Sequence, residues 1–282
     1  MFIVKVPGIN GLGKTKGCER AGNAILESLK EIYSNEEGKI IDVRLLDLEE
    51  IHLENSNIEL SNKLIYENSL EIFGTKPQTI FLGGDHSISY SITKAFLEHC
   101  KSKSSPVHSS LSASQTKEKT PCLIIFDSHP DCMEPMKEPT HEEWLRKIIE
   151  EGFPKENILL VGIRNSHQDE IKFIKENKIK TLSISNLTED LHEMCDTIME
   201  FSNGKELYVS IDIDVIDPVF APSTGYPEIG GLTSRQIIYL IQRIKKIKTL
   251  RAVDIVEINE KMDKENNNLT VKLGAKILAE LL

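Results

Sequence analysis

Acidic and imidazole side chains gather at three places in this chain, each directly after a run of apolar residues. The first is Gly83-Gly84-Asp85-His86-Ser87, which follows Ile80-Phe81-Leu82. The second, Asp127-Ser128-His129-Pro130-Asp131, lies inside the stretch Cys122 to Cys132 and follows Leu123 to Phe126. The third, Ser210-Ile211-Asp212-Ile213-Asp214, runs on to Asp217-Pro218. Alternation at period two turns Asp127, His129 and Asp131 to one side if the chain stays extended, and likewise Asp212 and Asp214. Charged groups at the ends of buried strands are costly unless something neutralises them, and a divalent metal is the simplest neutraliser. Taken singly, each group has a plainer reading. His86 fits a helix start as a packed or capping residue, the Asp127–Asp131 stretch fits a polar turn, and Asp212 and Asp214 fit a surface edge strand. Taken together, His86, Asp127, His129, Asp131, Asp212 and Asp214 are too many ligands for one structural zinc, and no thiolate pair accompanies them. Oxygen-rich donors with some imidazole suit manganese or a similar divalent ion. Six ligands, with carboxylates able to bridge, suit a two-metal site that acidifies water.

Such a site needs strands that deliver these residues to a common edge. Strands are expected at Phe2–Val6, Lys39–Leu46, Gln78–Leu82, Cys122–Phe126, Ile158–Gly162, Lys180–Ile184, Glu206–Ile213 and Thr249–Glu257. Helical spacing is expected over Cys18–Ile32, Lys63–Phe73, Ser87–His99, Glu142–Glu151, Gln168–Asn177, Thr188–Phe201, Ser234–Lys246 and Thr270–Leu281. Asp47 to Asn62 reads as a surface loop, and the Ser-, Lys- and Thr-rich segment 101–120 as a flexible insertion. This alternation predicts an α/β fold, a parallel sheet of about eight strands with helices on both faces. Ligand sites in such sheets lie beyond the carboxyl ends of the strands, where the three clusters stand. Residues 1–282 are expected to form a single domain.

GGDHS, the D-x-H-x-D stretch and SxDxDxxDP, in this order, resemble the ureohydrolases: arginase, agmatinase and their relatives. The likeness continues in Ala221-Pro222, Gly225, Pro227-Glu228, Gly230-Gly231, in Val161-Gly162-Ile163-Arg164 and in Asp254-Ile255-Val256-Glu257-Ile258-Asn259, spanning roughly residues 80–260. The resemblance implies a three-layer α/β/α sandwich around an eight-stranded parallel sheet, with two Mn2+ per chain. By position, His86 and Asp131 would hold one ion and His129 and Asp214 the other, with Asp127 and Asp212 bridging. A metal-activated hydroxide would attack a guanidinium carbon, releasing urea and an amine. Glu257 would pair with the guanidinium, Asp131 would take the proton of the attacking hydroxide, and His141 would pass a proton to the leaving amine. Family members commonly assemble as trimers or hexamers, so a homo-oligomer is implied.

The resemblance is weaker where the rest of the substrate would bind. Cys132-Met133-Glu134 stand where arginases usually carry an Asn that holds the amino-acid head group. Asn165-Ser166-His167 replace an acidic residue of arginases, whereas Tyr226-Pro227-Glu228 is similar to the agmatinase form. Ser128, Tyr226 and Glu260 also depart from the family pattern without removing a metal ligand. These residues favour agmatine or another guanidino compound lacking the arginine head group, with arginine or a formimino substrate as alternatives. A reading from another class rests on Gly8-Ile9-Asn10-Gly11-Leu12-Gly13-Lys14-Thr15, which fits the P-loop pattern of nucleotide triphosphatases. It leaves His86, His129, Asp212, Asp214 and Glu257 unexplained.

Composition narrows the classes further. A net charge of -10 offers no basic excess for nucleic acid, and is compatible with a small cationic substrate. Hydrophobic residues make up 39% and charged residues 28%, as in a soluble globular protein. Five scattered Cys make no paired framework, which predicts reduced thiols and a cytoplasmic location. The start, MFIVKVPG, is unlike a signal peptide, and no apolar run approaches the ~18 residues that a membrane span needs.

Overall fold

The apolar runs do become central strands. The computed structural model describes residues 1–11, 13–102 and 119–282. Eight strands, all parallel, form one sheet: β1 (Phe2–Val6), β2 (Asp47–Glu50), β3 (Thr79–Gly83), β4 (Pro121–Phe126), β5 (Ile158–Ile163), β6 (Lys180–Ser183), β7 (Glu206–Asp212) and β8 (Leu250–Val256). Their spatial order is β2-β1-β3-β8-β7-β4-β5-β6. β3, β4, β7 and β8 are buried almost throughout, as strands covered on both faces must be.

Alternate side chains serve two cores. Ile3, Leu82, Ile124, Val209 and Ile255 belong to one. Val4, Phe81, Leu123, Ile125 and Tyr208 belong to the other. The helices are α1 (Ala21–Leu29), α2 (Ile58–Thr75), α3 (Ile88–Ser102), α4 (Trp144–Glu150), α5 (Gln168–Asn177), α6 (Ile184–Glu189), α7 (Leu191–Phe201), α8 (Ser234–Ile244), α9 (Glu260–Asp263) and α10 (Leu269–Leu281). α1, α8 and α10 cover the first face; α2, α3 and α4 cover the second. The result is the expected α/β/α sandwich.

Three local expectations need correction. The second strand is Asp47–Glu50 rather than Lys39–Leu46. An edge strand is held by backbone pairing to β1, so Asp-Leu-Glu-Glu serves without any apolar pattern, while Asp42 caps a short 3-10 turn at Val43–Leu45. The helix expected over Thr188–Phe201 is two helices, because the Asp190 carboxylate accepts the backbone N–H groups of His192 and Glu193 and starts a new one. Lys101 and Ser102 end α3; most of the anticipated insertion at 101–120 lies outside the described residues.

The glycine loop after β1 wraps the end of β3. A Cβ on Gly84 would overlap the Gly8 carbonyl, so only glycine permits this approach. The Asp85 carboxylate accepts the Asn10 backbone N–H at 2.8 Å. A buried carboxylate thus occupies a backbone donor of the loop that a P-loop would turn to phosphate. A 3-10 turn at Cys18–Arg20 also separates the loop from α1. Among the described residues no helix is long and apolar enough to cross a membrane.

Candidate metal centre

The strand order decides what meets. β3, β8, β7 and β4 are neighbours in that sequence, although their ends carry residues as distant as His86 and Glu257. Asp127 and Glu257 directly follow β4 and β8, Asp212 closes β7, and His86 stands three residues past β3. All four lie at the carboxyl edge of the central strands, where a cavity of about 390 Å³ is lined by His86, Asp212 and Glu257, together with His129, Asp131 and Asp214.

The chain does not stay extended past β4 or β7. The Asp127 Oδ1 accepts the backbone N–H of His129 at 2.7 Å, and the Asp212 Oδ1 accepts that of Asp214 at 2.8 Å. Each Asp bends its own chain two residues on. Asp214 therefore sits in a 3-10 turn, Ile213–Val215, and Asp131 takes a left-handed φ of 52°. The side chains converge through these turns rather than through strand alternation.

Two groups of ligand atoms result. His86, Asp127 and Asp131 form one; Asp127, His129 and Asp214 form the other. Asp127 is common to both. The His86 Nδ1 lies 2.9 Å from Asp131 Oδ2, 3.0 Å from Asp127 Oδ2 and 3.3 Å from Asp212 Oδ2. The His129 Nδ1 lies 3.0 Å from Asp214 Oδ2. The His86 orientation is set from behind: Ser210 donates to Asp254 Oδ1 at 2.6 Å and so accepts from His86 Nε2 at 2.9 Å. That leaves Nδ1 facing the carboxylates.

A cation fits this arrangement. The His86 Nδ1 and the Asp127 Oδ2 are buried and 3.0 Å apart, yet neither makes a hydrogen bond. Burial, and then the charges of Asp131 and Asp214, push the Asp127 carboxyl well above the usual range; Asp212 behaves likewise, against Asp214 and Asp127. Burial pushes Asp131 up to about 6. Burial opposes the charged form of both imidazoles, but the facing carboxylates outweigh it, taking His129 up to about 11. The donor set contains no thiolate. Cys18, the nearest cysteine to Glu257 at 3.9 Å, is kept protonated by burial, and all five cysteines are free and buried.

Beside the ligand atoms stands Glu257, also in a left-handed conformation at φ 62°. Its Oε1 accepts the His86 backbone N–H at 2.9 Å. Burial, then Asp212 and Asp85, raise its carboxyl well above the usual range, so a cation beside it would be strongly favoured. His141 is buried, with Nδ1 3.7 Å from Glu257 Oε1 and Nε2, which makes no hydrogen bond, 3.9 Å from Glu142 Oε1. Burial depresses it to about 4. Its ring packs on Tyr226, centroids 5.0 Å apart. The structure thus brings together all eight residues singled out from the sequence.

Arg164 and Glu228, which the sequence offered only as part of the resemblance, have roles here, and Trp144 was not anticipated at all. Arg164 donates to the carbonyls of Asp214 (2.7 Å) and Glu228 (2.6 Å) and ties down the loop that follows β7. Glu228 reaches His129 Nε2 at 3.4 Å. Trp144 donates its indole N–H to Asp131; its only sequence signal was being the sole tryptophan.

Comparison with known proteins agrees with this geometry. A family model described as "Arginase family" matches residues 1–282. The chain belongs to the arginase family. Its members are hydrolases that generally use a binuclear metal centre, and the His and Asp clusters here could hold metal. Among its relatives is an arginase of Staphylococcus aureus (strain MRSA252), 28% identical over 258 residues, covering 83% of this chain and 79% of the relative. An agmatinase of Bacillus subtilis (strain 168) is 28% identical over 249 residues, covering 86% and 76%. The crystal structure of formimidoylglutamase from Bacillus subtilis subsp. subtilis str. 168 superimposes with a TM-score of 0.82 at 23% identity, covering 99% of this chain and 85% of that one. The family's sandwich fold is therefore this chain's fold, while its relatives carry names with different substrates.

Proposed function

We propose that this chain is a binuclear manganese amidinohydrolase that releases urea from a guanidino compound with a cationic tail, agmatine foremost. The carrying observation is that Asp127 belongs to both groups of ligand atoms, as a bridging carboxylate must. His86 and Asp131 would hold one ion, His129 and Asp214 the other, with Asp127 and Asp212 between them. Carboxylate-rich donors without thiolate favour manganese. When bound, such a pair acidifies water and supplies hydroxide at neutral pH.

The chain's own residues do the rest. Glu257 receives the guanidinium as a paired acceptor and orients its carbon toward the metal side of the cavity. Asp131, facing the His86 imidazole at 2.9 Å, would accept the proton that the attacking water gives up. His141 is neutral at pH 7 because burial holds it near 4; it relays a proton to the leaving amine without retaining it. Glu257→Gln keeps an acceptor for the His86 N–H but removes the charge. It is expected to lower kcat/KM roughly 100-fold, about 3 kcal/mol, with manganese content unchanged by elemental analysis.

The outer cavity supports the choice of tail. Among the described residues lining it, none is Lys or Arg, so an amino-acid carboxylate finds no guanidinium or ammonium partner there. Met133 and Tyr226 offer apolar surface for methylenes, and the half-exposed Glu142 offers a carboxylate. A guanidino acid would instead need Lys14, outside that lining, whose Nζ lies 5.1 Å from the Tyr226 ring centroid. The test is urea release by the manganese-loaded protein from agmatine, 4-guanidinobutyrate, arginine and N-formimidoylglutamate, the last followed by formamide. Agmatine should give the highest kcat/KM, and Glu142→Gln should cost agmatine about 5-fold, mostly in KM, while sparing the acids. A preference for the acids that Lys14→Ala abolishes would replace the amine tail with a carboxylate one. No hydrolysis of any member would overturn the reading.

A further inference from the structure

Trp144 opens α4, three residues after His141, and is fully buried. Its Nε1–H donates to Asp131 Oδ2 at 2.7 Å. Its ring packs on the His86 imidazole, with centroids 4.8 Å apart and planes inclined by 45°. One side chain therefore touches both residues that flank one of the two candidate ion positions. It touches neither His129 nor Asp214 in any hydrogen bond or ring contact.

Asp131 needs such support. Its left-handed backbone, φ 52°, costs a non-glycine residue about 1–2 kcal/mol, and the surroundings must hold it there. The first turn of α4 does so from two directions. The Arg146 N–H reaches the Asp131 carbonyl at 3.4 Å, while the indole holds the side chain. The neighbouring Cys132 N–H donates to the buried Glu170 at 2.9 Å.

The chemistry of the donor matters as well. A Lys or Arg at this place would neutralise the carboxylate and compete with a metal ion. A hydroxyl could rotate away or take the place of a ligand. An indole N–H is a neutral donor only, with no acceptor atom and no titration. It fixes one oxygen and leaves the negative charge of Asp131 available. The ring at the same time limits rotation of His86, whose Nε2 is fixed by Ser210.

We propose that Trp144 is a positioning residue that prepares Asp131 and His86 for one ion of the pair and leaves the other ion's ligands unaffected. This rests on the two-metal reading of the same site. Partners behind metal ligands typically contribute 10- to 100-fold to metal affinity.

The experiment is a Mn2+ titration of the metal-stripped full chain and of Trp144→Phe, with free ion followed by electron paramagnetic resonance. Phe retains a ring against His86 and removes the donor. The unmodified protein should bind two ions per chain. In the variant one binding step should weaken about 10- to 100-fold and the other should stay within about twofold. A packing role alone would alter thermal unfolding without separating the two ions. Because Trp144 is the sole tryptophan, its emission gives a second measurement that needs no variant. Paramagnetic Mn2+ should quench it chiefly in one of the two binding steps of the unmodified protein. Two unchanged steps in Trp144→Phe, or emission that stays constant while both ions bind, would overturn the role of Trp144. Absence of Mn2+ binding by the unmodified protein would overturn the metal reading beneath it, a different result. If the variant fails to fold, the emission titration alone decides.

Discussion

Asp127→Asn is expected to abolish urea release, by roughly 10³-fold or more, which corresponds to about 4 kcal/mol. Manganese content should fall from near two ions per chain to one or none. Asp127 is the carboxylate shared by both groups of ligand atoms, so its loss is felt by both ions. The replacement keeps the shape and removes only the charge, and Asn can still accept the His129 backbone N–H that bends the chain. A folding artefact is separable by measuring the metal-stripped proteins. Asp127 is buried against Asp131 and Asp214, so removing one like charge should leave the stripped variant at least as stable as the stripped parent. Normal manganese content and activity in Asp127→Asn would remove the central support for a bridged pair.

Removal of metal should reverse the pH dependence of stability. In the stripped protein Asp131 is raised to about 6 and His129 to about 11, and Asp127, Asp212 and Glu257 are raised as well. Each of these groups binds protons more tightly folded than unfolded. The Asp131 contribution is fully present below about 4, its usual range, and is lost as pH rises through about 6. The His129 contribution is present below about 6.5 and is lost as pH rises through about 11. The stripped protein should therefore unfold at progressively lower temperature between pH 5 and pH 9. Asp214, lowered chiefly by His129 and Ser128 against its burial, opposes this only in acid. Metal-loaded protein should be more stable at pH 7.5 than at pH 5, because protons compete for the ligands. At pH 7.5, each ion at 100-fold its dissociation constant should add about 2.7 kcal/mol, roughly 5–10 °C in Tm. Scanning calorimetry with and without chelator provides the check. Parallel pH profiles for the two forms, or no shift on adding Mn2+, would contradict a metal at this place.

The sequence by itself determined the elements that bear the chemistry. Unbroken apolar runs such as Leu123–Phe126, too short for a helix and closed by polar residues, read as strands covered on both faces, and they became β4 and its neighbours. The residues following them were legible because Asp and His after such a run demand a neutralising partner. The edge of the sheet was not legible: Asp47–Glu50 is a strand because β1 offers it a backbone ladder, a nonlocal cause without an apolar trace. Convergence was likewise decided by the tertiary structure. The order β3-β8-β7-β4 sets His86 beside Glu257 and Asp212 beside Asp127, across separations that no periodicity encodes. The turns that aim Asp131 and Asp214, made by carboxylates bonding their own backbone, also appear only in three dimensions. So does the indole behind Asp131, since a tryptophan thirteen positions away along the chain signals nothing until α4 folds back onto the sheet.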